Sequence, residues 1–268
     1  MLATAIGALV PTLTEAQSSS SAPVQGVWNY RLSVYGYFPS VSGASSVPAD
    51  SNGTPIDINA DKVLDSLKFM AMGTFEAHNG RWGAFVDGMY LNFGGSKQRS
   101  RDFTIGGASP PIGTTADLDW DFKGTIWTLA GEYRVLTDPG ITIDTLAGTR
   151  RFDVRTTSRW SIAGDLGLIL PAGRTGSADN RVTLWDGIVG VKGRVALSPS
   201  GPWSLPFYLD VGTGQSHLTW QALTGVSYAF GWGELSATWR YLAYEMKSGK
   251  SLSDLKFNGP MIGATWRW

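Results

Sequence analysis

Between Trp28 and Trp268 the side chains alternate with period two, and the alternation sorts charge. Along one stretch Trp82, Ala84, Val86, Gly88 and Tyr90 share a face while Asp87 takes the other. Further on, Trp185, Val189, Val191 and Val195 oppose Asp186, Lys192 and Arg194; Phe207, Leu209 and Val211 oppose Asp210. Near the end, Leu235, Ala237, Trp239 and Tyr241 oppose Glu234 and Arg240, and Ile262, Ala264, Trp266 and Trp268 oppose Arg267. Successive strand residues point to opposite sides, so this pattern demands β-structure and fixes register and face together. Ten segments carry it: Trp28–Phe38, Leu67–Ala77, Arg81–Phe93, Trp120–Leu136, Ile141–Asp153, Val182–Leu197, Leu205–Thr213, Leu218–Phe230, Gly233–Glu245 and Phe257–Trp268. No segment reads as a long helix and no composition break divides them, so residues 26–268 read as one domain.

The connections say which face is outside. Tight ones (Asn79-Gly80, Thr137 to Gly140, Ser198 to Pro202, Gly231-Trp232) alternate with long ones (Pro39 to Ser66, Gly94 to Asp119, Val154 to Arg181 and the shorter Met246 to Lys256); Gly214 to His217 is brief. Short turns on one rim and long loops on the other describe a membrane barrel with periplasmic turns and extracellular loops. Aromatics on the charge-free face agree, gathering near the turn rim (Trp28, Trp82, Tyr133, Phe207, Tyr228, Trp266) and near the loop rim (Phe38, Tyr90, Trp185, Trp220, Tyr241). Amphipathic rings collect in this way at the two water–lipid boundaries. The expected fold is therefore all-β: a transmembrane antiparallel up-and-down β-barrel of about ten strands, its apolar face in lipid.

Composition closes off other classes. With 22 basic against 22 acidic residues and only 16% charged, the chain is no electrostatic nucleic-acid binder. Its 43% hydrophobic content argues against disorder. With no Cys there are no disulfides, thiolate metal sites or Cys nucleophiles. The apolar run Met1–Val10 is half the length of a spanning helix; followed by Ser18–Ser21 and Pro23, residues 1–25 read as a secretory-signal remnant or flexible spacer.

Parity places fourteen ions in the lumen: Arg31, Glu76, Asp87, Glu132, Arg134, Asp144, Arg150, Asp186, Lys192, Arg194, Asp210, Glu234, Arg240 and Arg267, seven of each sign. A filter selective for one ion type carries an excess of one sign. Balance fits instead a mutually paired network bracing a narrow interior, or a narrow pore through it, and ten strands lie near the side-chain-filled limit. In the first long loop, Asn59–Leu67 reads as a short helix, Asn59 capping it and Val63, Leu64 and Leu67 forming a stripe, which folds over the mouth or stays a surface turn. No enzyme, cofactor or metal is expected: no Asp-x-His occurs, and the two histidines, His78 and His217, sit near opposite rims. A Ser216, His217, Asp210 hydrolase set is the weakest alternative. A surface-recognition barrel acting through loops Val41–Ser66, Gly95–Asp119 and Val154–Asn180 is the stronger one.

The terminal stretch Met261-Ile262-Gly263-Ala264-Thr265-Trp266-Arg267-Trp268 resembles the insertion signal of bacterial outer-membrane barrels through Gly263, Trp266 and Trp268, with Met261 where a polar residue is usual. Gly80-Arg81-Trp82-Gly83 with Asp87 and Tyr90, Ala147-Gly148-Thr149-Arg150, Leu209-Asp210-Val211-Gly212, Trp220-Gln221-Ala222 with Tyr228, Trp239-Arg240-Tyr241 and Gly259-Pro260 together resemble a porin-like family of small proteobacterial outer-membrane barrels, across most of residues 28–268. The resemblance implies a Gram-negative outer-membrane location, with outer-membrane lipid and the barrel-assembly machinery as partners, and no defined activity. A small solute or a surface ligand is the remaining partner class.

Overall fold

The computed structural model describes residues 26–45, 54–65, 67–100, 115–163, 174–198, 200–247 and 252–268; residues 1–25, with the expected secretory-signal remnant or spacer, lie outside them. The elements in chain order are β1 (Trp28–Tyr37), β2 (Ser40–Ser45), β3 (Thr54–Ile58), α1 (Ala60–Asp65), β4 (Leu67–Asn79), β5 (Trp82–Ser100), β6 (Thr115–Asp138), β7 (Ile141–Ala163), β8 (Arg174–Ala196), β9 (Trp203–Gly214), β10 (Ser216–Ala229), β11 (Gly233–Met246) and β12 (Leu252–Arg267). β1 and β4 to β12 pair in chain order, each antiparallel to the next. β12 returns to β1, from Arg31 opposite Arg267 to Tyr37 opposite Met261, which closes the barrel. Closure leaves no strand edge inside hydrocarbon, where an unpaired N–H or C=O has no water to bond. The first tight turn shows local chemistry at work: Gly80 sits at φ +61°, a left-handed conformation open to glycine at little cost.

The wall is inside-out relative to a water-soluble protein. Outward Trp82 is 69% exposed, and Val189, Leu209, Trp239 and Ile262 are likewise bare. Inward Arg150 is 0% exposed and Asp210 1%. An aqueous protein that left so much aromatic surface bare and spent its interior on ions would lose the main driving force of folding. A barrel whose outer solvent is lipid gains from the same arrangement, so this is a transmembrane barrel of the outer-membrane type.

Rings band both boundaries. On the turn rim contacts run from Trp203 through Tyr228 (centroids 4.9 Å), Phe230 (4.7 Å) and Trp232 (5.8 Å) to Trp266 (5.8 Å); beside them Trp268 stacks on Tyr30 (6.0 Å), and Tyr30 on Phe75 (6.0 Å). Trp82 meets Tyr133 at 4.9 Å on the same rim. Toward the loops Trp220 stacks on Tyr241 (4.6 Å), Tyr90 meets Phe69 (5.9 Å), and Trp185 lies under the Arg151 guanidinium (5.7 Å). Trp28 is exposed beside Tyr30. Tyr30, Trp203 and Trp232 belong to the turn-side band although the sequence reading passed over them.

Two expectations need correction. The described parts of the long connections hold strand: β6, β7 and β8 run 24, 23 and 23 residues, against 12 for β9, so the wall stands tall on one side. Above the lipid belt the outward residues become ions, with Arg155 on Asp179 and Arg181 on Asp153; water on both faces erases the alternation by which a strand is recognised. The first long connection likewise holds the β2–β3 hairpin, which extends the sheet on β12 from Asn258 to Leu252. The helix α1 forms, but ends at Asp65, and Leu67 opens β4.

Candidate site in the barrel lumen

All fourteen ions named from parity lie on the inward face, and ion pairs or hydrogen bonds gather them into groups that cross the hollow. Near the turns, Lys192 on β8 reaches Glu76 on β4 (2.6 Å) and also contacts Glu132 on β6. Its ammonium lies 4.8 Å from the Phe85 ring centroid. Arg134 grips Asp144 through Nε (2.8 Å) and Nη2 (3.0 Å). Arg194 meets Glu234 at 2.6 Å, and both Arg31 and Arg267 stand 3.9 Å from that carboxylate.

Deeper in, Arg240 on β11 bonds Asp87 on β5 (3.0 Å) and Gln221 (2.8 Å), while the Tyr35 and Thr74 hydroxyls donate to Asp87 at 2.6 and 2.7 Å. Arg150 on β7 forks onto both oxygens of Asp210 on β9 and donates to Thr128 (3.2 Å). Asp186 accepts the Ser216 backbone N–H at 2.8 Å. Lys192, Arg150, Arg240 and Arg194 are each held by carboxylates from non-adjacent strands, which is the condition for a buried ion to be tolerated.

Sequence reasoning missed His78. The expected strand ends at Ala77 and leaves His78 at the turn rim, whereas it is buried on β4 and faces inward; its Nε2 lies 2.6 Å from Glu132 and 3.1 Å from Glu76. The ring fits because its neighbour on β5 is Gly83, where a Cβ would fall 2.5 Å from the imidazole. Parity contained the signal: His78 is two residues from Glu76 on one strand.

The inward face is not polar throughout. Toward the loops it carries a packed apolar layer: Tyr37 on β1, Met72 on β4, Met89 on β5, Ile126 on β6, Phe152 on β7, Leu184 on β8, Leu242, Tyr244 and Met246 on β11, Leu255 and Phe257 on β12. Phe152 and Tyr244 meet at 4.9 Å between ring centroids. Below this plug a cavity of about 210 Å³ runs past Arg31, Glu76, Asp87, Lys192 and Arg240. A second, of about 550 Å³, is lined by Val27, Asn29, Arg31, Glu76, His78, Gly80 and Arg134 at the turn-side mouth. The lumen thus opens toward the turns and is stoppered toward the loops.

The residues weighed for hydrolysis do not assemble. Asp210 belongs to β9, not to the strand of Ser216 and His217, and is occupied by Arg150. Ser216 is fully buried, whereas the His217 side chain is 74% exposed and faces Glu245 at 3.8 Å. Of the terminal residues, Gly263 faces the lumen cavity while Trp266 and Trp268 are exposed on the outside.

No family profile and no curated protein sequence matches the chain. Among solved structures, the outer membrane protease OmpT from Escherichia coli aligns over 93% of this chain and 99% of its own, at 9% identity and TM-score 0.48. The translocator domain of autotransporter NalP from Neisseria meningitidis aligns over 92% and 91%, at 12% identity and TM-score 0.39. Ail, the attachment invasion locus protein of Yersinia pestis, aligns over 91% and 99%, at 13% identity and TM-score 0.32. Similarity this distant adds nothing to a fold already set by the chain's own pairing.

Proposed function

We propose that this barrel is a closed outer-membrane anchor that holds the tall β5–β8 sheet outside the cell and does not conduct at rest. The observation behind this reading is the apolar plug, to which eight of the ten barrel strands contribute buried side chains. A permeating ion would have to shed its water there with only the Tyr37 and Tyr244 hydroxyls to replace it, the barrier by which hydrophobic constrictions close pores. The cross-lumen pairs Lys192–Glu76 and Arg240–Asp87 add struts beneath it. Chemistry of its own is not part of the proposal, since the serine and histidine that would carry it point apart.

Planar-bilayer recording of the refolded protein tests this reading. The expected trace is silent, and the paired substitution Phe152→Ala with Tyr244→Ala, which removes the ring contact at the centre of the plug, is expected to produce stepwise openings. Channel activity in the unmodified barrel equal to that of the variant would overturn it. Deleting 59–65 is expected to leave the trace silent, because the plug is built from the wall and not from α1.

A further inference from the structure

The plug leaves the turn-side cavity facing the periplasm, and its charges are not evenly spread. Arg31 and Arg267 stand directly opposite each other where β1 meets β12, both facing inward. Like charges in directly opposed strand positions repel. Their shared carboxylate, Glu234, lies 3.9 Å from each and bonds Arg194 instead at 2.6 Å. Arg194 is further held by the Ser204 hydroxyl at 2.7 Å. Glu76, across from Arg31 on its other side, is turned to Lys192 and His78. Three guanidiniums face Glu234, and the one other carboxylate beside Arg31, Glu76, is engaged by Lys192 and His78, which leaves positive charge in excess at a seam that has to close for the barrel to form. Arg31 lines both the deeper cavity and the mouth.

We propose that Arg31, Arg194 and Arg267 form a binding site for a soluble phosphate-class oxyanion, inorganic phosphate or a phosphomonoester, entering from the periplasm. A phosphate carries about one and a half to two negative charges near neutral pH, opposite in sign to the excess, and its oxygens suit the planar fork of arginine better than chloride does. Two half-exposed arginines with no closer carboxylate supply the donors, Arg267 also reaching the Gly233 carbonyl at 3.5 Å. The anion would settle between Arg31 and Arg267 and turn a repulsive pair into a bridge. A phospholipid headgroup carries the same chemistry, but these side chains face the hollow, behind a wall whose outer surface is Leu32, Trp266 and Trp268.

The test titrates inorganic phosphate into the full chain refolded in phosphate-free maltoside micelles, with calorimetric readout and chloride at matched ionic strength as reference. Phosphate is expected to bind at least about tenfold more tightly than chloride. Arg31→Gln and Arg267→Gln are each expected to weaken it about tenfold, and Glu234→Gln to strengthen it by a similar factor, because the competing carboxylate is gone. Arg81→Gln, on the exposed turn, serves as the unchanged control, and circular dichroism reports folding for each variant. Since Glu234→Gln reads in the opposite direction, loss of fold cannot mimic the expected pattern. Equal affinity for phosphate and chloride, or unaltered binding in a folded Arg31→Gln, would overturn the proposal. Displacement of phosphate by stoichiometric phosphatidylglycerol would also overturn it, assigning the arginines to lipid.

Discussion

Replacing Arg150 by Met is expected to destabilise the barrel by about 3–5 kcal/mol, whereas replacing Arg150 by Met and Asp210 by Leu together restores most of that loss. The two side chains are both fully buried and joined through both carboxylate oxygens. Removing the guanidinium leaves the buried Asp210 carboxyl without its cation in a place water reaches poorly, and Thr128 loses a donor as well. Removing both charges leaves an apolar pair of similar bulk beneath a layer that is already apolar. Equilibrium urea unfolding of the two singles and the double from lipid vesicles measures the cycle. Additive losses would mean that the two charges are each solvated on their own, and that the lumen at this depth is wet.

Val189→Arg is expected to cost about 2–4 kcal/mol, or to prevent insertion altogether. Val189 projects from the middle of β8 between outward Ala147 on β7 and Val211 on β9, midway between Trp185 and the turn. Arginine there has no route for its charge to either boundary. Thr157→Arg, also outward but level with Asp121 and Asp179 above the belt, is expected to stay within about 0.5 kcal/mol of the parent. Folding yield in vesicles compares the two, and equal tolerance would sink the assignment of the outer face to lipid.

The parts of the chain that were legible are those where two solvents meet the same strand. Lipid outside and ions inside force every second residue to declare its side, so Asp87 between Val86 and Gly88, or Asp210 between Leu209 and Val211, reads at once. Where that contrast ends, legibility ends. Asp117 and Asp119 on β6 lie in strand but read as loop, because no hydrocarbon requires Trp or Val on that face. The plug was illegible for the opposite reason: Met72, Met89, Phe152 and Leu242 are apolar on the inner face, and only packing across the barrel distinguishes a stopper from an ordinary apolar residue. The seven-to-seven balance of inward charge was visible, but its local imbalance at Glu234 was not. That depends on which strands become neighbours when β12 closes on β1.

The unequal height of the wall has a consequence for approach from outside. At about 3.3 Å per residue and a tilt near 40°, the extra eleven residues of β7 over β9 raise its tip by roughly 30 Å. One flank of the molecule is a parapet and the other a doorstep. A bulky probe such as an antibody is expected to meet the β7 flank before the β9 flank.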